Sequence, residues 1–321
     1  MTSLPQHLVD VLRSVRVDLA TSTVRVGEHE VRADSPEYLR RALSTALYDQ
    51  LHAGRGEWRP AVPRELVDEA FEARLRAAVP HTHTQAVTSV REVSDGQIVV
   101  TLDGVRVRLP ASGADTVAAG ADVLLRVECV RPRLSPGFLL VDGSAGHGLG
   151  DGPVLRVYVN IQTNEATPEV LGVILGTLER LDVPYRAKIT SVRAALPRQD
   201  AAVVYLGRRA WRAATAVATV VQDVVGRGDR VSPYTRRLGA GVSAAWDPAD
   251  PRPGYRGLSF GEHRSLVIST ALLAHAKNPS SSLENVVEKE FDMAGIDPRA
   301  PFRDVTSPKL VRILPTSQST L

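Results

Sequence analysis

The stretch that decides the fold of the N-terminal half reads Gln97-Ile-Val-Val-Thr-Leu-Asp103-Gly104-Val-Arg-Val-Arg-Leu109. Strand-forming residues lie on both sides of Asp103-Gly104, a dipeptide typical of tight turns. The pattern predicts a β-hairpin. Two later stretches, Val123–Val130 and Phe138–Val141, also have strand character, and we expect them to extend the hairpin into a small antiparallel meander.

Helical periodicity precedes this meander. Ser35 followed by Pro36 is typical of a helix start. The serine hydroxyl can cap the first turn, and proline lacks the N–H group that would have no hydrogen-bond partner at that position. The apolar residues that follow fall on one face, which predicts an amphipathic helix from Pro36 to Leu51. A second helix is predicted from Arg64 to Ala78. Residues 1–148 should therefore contain helices followed by a small sheet.

A glycine-rich segment from Gly143 to Pro153 is the predicted boundary between two domains. Its glycines would suit a phosphate-binding loop, but such a loop opens a helix, and here a strand, Leu155 to Val159, is expected to follow. Residues 153–321 alternate between helical and strand patterns, which predicts an α/β domain with a mixed sheet and gives the whole chain an α+β fold. The expected elements are a helix capped at Thr167-Pro168-Glu169, strands Tyr185–Ile189 and Ala201–Leu206, a helix Trp211–Val225, a long connection Gly226–Gly257, and a helix from Ser259 to about Lys277.

Composition limits the classes of ligand. A chain of 321 residues with 43% apolar and 23% charged residues is typical of a globular protein, and its pI of 9.2 predicts local positive patches that suit an anion. No stretch interleaves aromatic with basic residues, so we expect no nucleic-acid partner. The single cysteine, Cys129, excludes an internal disulfide. His81-Thr-His83 has the spacing of a zinc pair, but the neighbouring sequence offers no further ligand.

The expected location of the protein is the cytoplasm. The first residues, Met1 to Leu12, lack the apolar run of a secretory signal, and no window reaches the roughly 18 consecutive apolar residues of a membrane span. We therefore expect no membrane partner. Walker, dinucleotide-binding and Gly-x-Ser-x-Gly motifs are also absent from the sequence, which argues against lipase-like nucleophilic catalysis.

Lysine is rare in this chain. Only four of the thirty-nine basic residues are lysines, and Lys188 is the one that lies in mid-chain. Arginine stays protonated at any pH that a protein meets, whereas a desolvated lysine can lose its proton and act as a base or nucleophile. Lys188 is therefore the first catalytic candidate, with an ordinary surface lysine as the open alternative.

Further candidates lie after Lys188. Arg198 and Asp200 are two residues apart, so the carboxylate could fix the guanidinium in a bidentate geometry, or the two could form an ordinary surface ion pair. Ser259-Phe-Gly-Glu262 fits a capping box at a helix start. His263 and Arg264 follow in the first turns of that helix, where the free N–H groups favour an anion, although a surface arginine is the alternative.

Tyr158 and Asn160 share one face of a predicted strand and either belong to the site or line the edge of the sheet. Together the motifs resemble the HopA-type effector family, whose bacterial biosynthetic branch supplies the lyase of class V lanthipeptide and thioamitide maturation. The resemblance covers roughly Leu155 to Asn278, with a tyrosine-bearing helix near Tyr48 as its N-terminal counterpart. Its motifs are Tyr158-Val-Asn160, Pro184 followed by Lys188, Arg198-Gln-Asp-Ala-Ala-Val-Val-Tyr205, Gly241-Val with Asp247-Pro248, and Ser259-Phe-Gly-Glu-His-Arg264.

The resemblance implies elimination of phosphate from phosphoserine or phosphothreonine in a ribosomal precursor peptide, leaving dehydroalanine or dehydrobutyrine. A separate kinase, similar to aminoglycoside phosphotransferases, would add the phosphate first. Such an elimination needs a base for the α-proton and cations for the departing phosphate. We expect Lys188 to be the base and Arg198 and Arg264 to bind phosphate, with no metal or organic cofactor. The remaining assignments are His263 or Tyr205 as proton donor, Tyr158 as hydrogen-bond donor to the substrate carbonyl, and Asp200 and Asn160 as supporting residues.

Two other functions stay open at this point. A non-catalytic, effector-like module would bind a peptide or protein through the same pocket and should tolerate Lys188→Arg. A phosphatase or phosphotransferase would need a nucleophile or metal cluster that the sequence does not show. Residues 1–148 are expected to dock the leader peptide or the kinase.

Overall fold

The computed structural model describes residues 3–55, 66–102, 104–110, 118–131, 134–150, 152–224, 226 and 228–310. The helices are α1 (Gln6–Ser14), α2 (Pro36–Leu47), α3 (Glu69–Ala77), α4 (Ala166–Arg180), α5 (Ala213–Val220), α6 (Phe260–Lys277) and α7 (Leu283–Met293), with a π-helical turn (Tyr48–His52) and a 3-10 turn (Arg193–Ala195). The strands are β1 (Arg16–Asp18), β2 (Thr23–Val26), β3 (His29–Arg32), β4 (His83–Ser94), β5 (Gln97–Leu102), β6 (Val105–Pro110), β7 (Asp122–Glu128), β8 (Val130–Arg131), β9 (Phe138–Asp142), β10 (Leu155–Ile161), β11 (Arg186–Thr190), β12 (Arg198–Leu206), β13 (Arg236–Gly239) and β14 (Val242–Trp246). The predicted α+β class is confirmed. Across these ranges, no helix combines the length and the apolar character that crossing a bilayer requires.

Two small antiparallel sheets come from the N-terminal half. One contains β1, β2 and β3, and the other has the order β6-β5-β4-β7. The predicted hairpin is confirmed, because β5 pairs with β6 and Gly104 adopts a φ of +81° in the turn; Asp103 lies outside the described residues. The prediction that Phe138–Val141 extends this meander is wrong. That strand, β9, belongs to a third sheet, where its continuous apolar run is covered on both faces.

The third sheet is the framework of the molecule. Its seven strands have the order β13-β14-β10-β12-β11-β9-β8, and every neighbouring pair of these described strands is antiparallel. The predicted mixed sheet is therefore wrong. α4 connects β10 to β11, which run in the same direction, so the connection resembles the crossover of a parallel sheet. The two strands do not pair with each other, however, because β12 lies between them and is antiparallel to both.

Several C-terminal boundaries differ from the prediction. β13 and β14 lie inside Gly226–Gly257, which was expected to be a connection. β14 is buried along its whole length, so its sequence shows no alternation that would mark a strand. α4 begins at Ala166, whose N–H is accepted by the Thr163 hydroxyl, whereas Thr167 donates to the Thr163 carbonyl and caps nothing. α5 is shorter than the predicted helix, whose last residue, Val225, lies outside the described residues.

The predicted N-terminal helices are present with altered ends. α2 begins where expected, because Ser35 accepts the N–H of Tyr38, and the π-helical turn continues it to His52. α3 begins only at Glu69, where Asp68 accepts the N–H of Phe71. The predicted start of that helix, Arg64, lies outside the described residues.

The large sheet separates two hydrophobic cores. α3, α4 and α5 pack on one face, together with Val157 and Val204, and α1, α2, α6 and α7 pack on the other, together with Tyr158 and Val203. Successive residues of a strand point to opposite faces, which explains this division. Each fully buried leucine of α2, such as Leu43, contributes about 2 kcal/mol. Residues from both 1–148 and 153–321 build the second core; the division into two domains stays a prediction.

Candidate functional site

The register of the large sheet places most sequence candidates on one face. Lys188 in β11 and Tyr158 in β10 lie on either side of Val203 in β12. Residues opposite each other in neighbouring strands project to the same face, here the face covered by α2 and α6. The next row of the sheet on that face contains Arg186, Tyr205 and Arg156.

A buried ion pair lies at the start of β12. Arg198 donates from Nε and Nη2 to the two carboxylate oxygens of Asp200, at 2.6 and 2.8 Å. Tyr48, in the π-helical turn, donates its hydroxyl to Asp200 at 2.9 Å and accepts from Arg198 at 3.2 Å. Arg198 is only 6% exposed, so the sequence-based alternative of an ordinary surface pair does not hold. The predicted bidentate geometry is observed.

Electrostatics keep this pair ionised. Burial by itself would raise the pKa of Asp200, but the charge and hydrogen bonds of Arg198 outweigh it and hold that pKa well below its usual range. Burial likewise opposes the charge of Arg198, yet Asp200 raises the arginine pKa above its ordinary value. Burial and the neighbouring Asp200 raise the pKa of Tyr48, which is therefore a neutral hydroxyl donor. The guanidinium is held charged and in a fixed orientation.

Lys188 and Arg198 meet at one aromatic ring. The Lys188 amine lies 4.4 Å from the ring centre of Phe138, and the central guanidinium carbon of Arg198 lies 5.1 Å from the same centre. Phe138 is in β9, two residues from Leu140, the residue opposite Lys188. A cation over a ring face is stabilised by the ring quadrupole. The two basic side chains selected from the sequence are thus brought together, and Lys188 is half-buried.

Three carboxylates near this face form ion pairs with arginines, and Asp142 also lies 3.6 Å from a second arginine, Arg131. The pairs are Arg186 with Asp142, Arg198 with Asp200, and Arg156 with Asp247. Lys188 differs from these arginines, because no carboxylate in the described part of the chain lies within ion-pair distance of its amine.

An aromatic cluster joins the ion pair to α6. The ring of His52 lies 5.1 Å from that of Tyr158 and 5.9 Å from that of Phe260. Burial lowers the pKa of His52 to about 4 and raises that of Tyr158, so both are neutral at pH 7. Tyr158 is only 3% exposed, which places its side chain in the core. A Cβ atom at Gly261 would lie 2.2 Å from His52, so this close approach of α6 requires glycine.

Two predicted site residues lie elsewhere in the interior. Arg264 is fully buried and donates to Asp304 at 2.7 Å and to the carbonyl of Pro301 at 2.8 Å. His263 is also fully buried, lies 3.0 Å from Asp250, and has its pKa lowered to about 4 by burial and by the Arg264 charge. The geometry therefore does not bring Arg264 to a phosphate, nor His263 to a leaving oxygen. Arg264 instead fixes the segment that follows α7, and His263 fixes Asp250 in the loop before α6.

The remaining candidates have structural contacts. Asn160 donates to the carbonyl of Arg230 at 2.9 Å and accepts from Gln162 at 2.6 Å, so it holds a loop. Tyr205 is half-buried, with the guanidinium of Arg156 4.9 Å from its ring centre. The sequence did not reveal Phe138 or His52, because each joins the site only through long-range packing.

The described residues contain no group of three His, Cys, Asp or Glu side chains placed to hold a metal ion. Of the two histidines with zinc-like spacing, His81 donates to the carbonyl of Asp142 at 2.8 Å, while His83 is exposed.

The fold and the site define an α+β protein with a basic cluster on one face of a seven-stranded antiparallel sheet. Residues 129–303, more than half of the chain, match the HopA1 effector protein family, and the chain belongs to that family. Two solved structures are similar. An effector protein from Pseudomonas syringae pv. tomato strain DC3000 is 14% identical over 85% of this chain and 91% of its own, with a TM-score of 0.45. An effector protein from Pseudomonas syringae pv. syringae strain 61 is 14% identical over 84% and 92%, with a TM-score of 0.47. No curated protein matches the chain.

Proposed function

We propose that the protein is a lyase that eliminates phosphate from phosphoserine or phosphothreonine in a precursor peptide. The observation that carries this proposal is the amine of Lys188 beside the fixed guanidinium of Arg198, on the single ring of Phe138. Two basic side chains held together in this way suit the negative charge of a phosphorylated side chain. A separate kinase, similar to aminoglycoside phosphotransferases, adds the phosphate beforehand.

The reaction needs one base and one phosphate ligand. Lys188 acts as the general base and takes the proton from the α-carbon, the electron pair of that C–H bond forms the Cα–Cβ double bond, and the Cβ–O bond breaks. Phosphate leaves with the electrons of the C–O bond. Asp200 and Tyr48 occupy the Nε and Nη2 atoms of Arg198, which leaves Nη1 for a phosphate oxygen. The products are dehydroalanine or dehydrobutyrine and inorganic phosphate.

The site that we propose is smaller than the one predicted from the sequence. Lys188 acts as base, Arg198 binds phosphate, and Asp200 and Tyr48 position Arg198. His263 and Arg264 are left out because both ring nitrogens of His263 and all three guanidinium nitrogens of Arg264 already have partners in the protein. Tyr158 is left out because its side chain lies in the core. Tyr205 stays a candidate hydrogen-bond donor to the substrate, since it lies in the row of the sheet next to Lys188.

A phosphopeptide incubated with the protein and followed by mass spectrometry tests the proposal. We expect loss of phosphoric acid and appearance of an alkene that reacts with an added thiol. Recovery of the free hydroxyl peptide would show hydrolysis instead of elimination. An unmodified phosphopeptide that nevertheless stays bound would identify a non-catalytic module.

That non-catalytic module is the second candidate function, and one observation favours it. Asp200 already neutralises Arg198, so the binding of a phosphate there releases less free energy than its binding to a free arginine. A binding module needs only the positive charge at position 188, whereas a lyase needs an amine that can release its proton. The two functions therefore differ in their tolerance of arginine at that position.

A further inference from the structure

A cationic cavity of about 680 Å³ lies beside the proposed site. It is enclosed by α1, the π-helical turn and the segments 230–237 and 299–302. Four arginines line it, and no aspartate or glutamate does: Arg230, Arg236, Arg237 and Arg299. In the chain as far as the structure describes it, none of these four has an ion-pair partner. The cavity thus concentrates positive charge that no carboxylate of the described residues balances through an ion pair.

The lining between the arginines is mostly apolar. Leu51, Pro233, Pro301 and Phe302 contribute to it. Ligand cavities of this size hold molecules much larger than an inorganic ion. A single phosphate would leave the apolar surface uncovered, whereas an extended peptide with acidic side chains covers that surface and places its carboxylates against the arginines.

The cavity borders the proposed site at Gln199. This residue lines the cavity and lies in the chain between Arg198 and Asp200. Gln199 is 6% exposed, and its Oε1 atom accepts no hydrogen bond from the described residues. A peptide N–H can donate to such an acceptor. An extended peptide advances about 3.3 Å per residue. A peptide whose phosphorylated residue lies at Arg198 could therefore place a side chain a few residues away in the cavity.

We infer that this cavity binds acidic residues flanking the phosphorylated residue of the peptide substrate. The inference rests on the proposed function for the identity of the peptide, and it adds the sequence character by which the substrate is selected. Arginines around an apolar cavity attract carboxylates and disfavour basic segments, which gives selectivity as well as affinity.

Fluorescence anisotropy with a labelled, unphosphorylated glutamate-rich peptide tests this inference in the full-length protein. We expect the peptide to bind, and its glutamine counterpart not to bind. The double variant Arg230→Gln/Arg299→Gln should bind about tenfold more weakly, the loss expected for two charge pairs. The matched control, Arg25→Gln/Arg41→Gln, removes the same charge at exposed positions and should bind like the wild type.

Equal weakening in both double variants would overturn the inference, because it would show attraction to the net charge alone. Displacement of the peptide by inorganic phosphate at a matched charge concentration would also overturn it and identify an ion site. The readout involves no turnover. A protein that binds the acidic peptide but eliminates no phosphate therefore refutes the proposed function alone, and a lyase that ignores the acidic peptide refutes this inference alone.

Discussion

Lys188 and Arg198 contact the same phenylalanine, yet only an amine can release its proton and act as a base. We therefore expect Lys188→Arg to retain phosphopeptide binding and to lower the elimination rate by at least about a hundredfold. Separate measurement of kcat and KM by mass spectrometry checks this. Lys277→Arg, at the exposed end of α6, is the control and should behave like the wild type. A Lys188→Arg variant with the wild-type rate would exclude Lys188 as the base.

The Arg198–Asp200 pair should matter for stability as well as for orientation. Asp200→Asn leaves the buried guanidinium without its counter-charge, so we expect the free energy of unfolding to fall by about 3 to 5 kcal/mol. Urea denaturation checks this value. Glu30→Gln, which breaks the exposed pair of Glu30 with Arg25, should leave the midpoint of urea denaturation almost unchanged. Similar losses in the two variants would contradict the buried character of the Arg198 pair.

At the scale of elements, the packing of α6 against the π-helical turn depends on Gly261. An added Cβ would lie 2.2 Å from His52, so Gly261→Ala should cost about 1 to 3 kcal/mol despite the better helix propensity of alanine. Gly176→Ala in α4 is the matched control, because its nearest non-local atom lies 3.5 Å away at the flexible end of Arg180. It should stabilise the protein by about 0.5 to 1 kcal/mol. Thermal unfolding of both variants shows whether each substitution lowers or raises the melting temperature.

The elements that the sequence could predict are those that depend on neighbouring residues. The hairpin at Gly104, the capped start of α6 and the Arg198–Asp200 pair are local, so neighbouring residues were sufficient to predict them. β9 and β14 are covered on both faces, and a strand without alternation gives no sign of its partners. Arg264 was assigned to phosphate from its place near a helix start, but Asp304, forty residues away, binds it in the interior.

For the whole molecule, the site lies where two distant parts of the chain meet. Tyr48 and Phe138 come from the N-terminal half, and Lys188 and Arg198 from the C-terminal half. Both halves contribute to the core that covers this face of the sheet. Residues 1–148 therefore supply part of the proposed site in addition to any docking role, which composition alone did not indicate.

Two buried histidines link the stability of the whole molecule to pH. Burial lowers the pKa of His52 and of His263 to about 4, from 6.5 in an unfolded chain. Between these values the unfolded state binds more protons than the folded state, so the free energy of unfolding must fall as the pH falls. Asp200 and Asp250 have lowered pKa values, so their contribution to the free energy of unfolding is lost only below about pH 4. That lies outside the range in which the histidines act.

We expect each histidine to remove about 2 kcal/mol of stability between about pH 7 and about pH 5. Urea denaturation at the two pH values measures the total. His263→Gln removes one of the two histidines that cause the pH dependence. It should therefore halve the difference between the free energies of unfolding at the two pH values, whatever its effect at a single pH. His83→Gln, at an exposed position, should leave the difference unchanged. Equal stability of the wild type at both pH values would show that the two imidazoles take up protons within the folded protein.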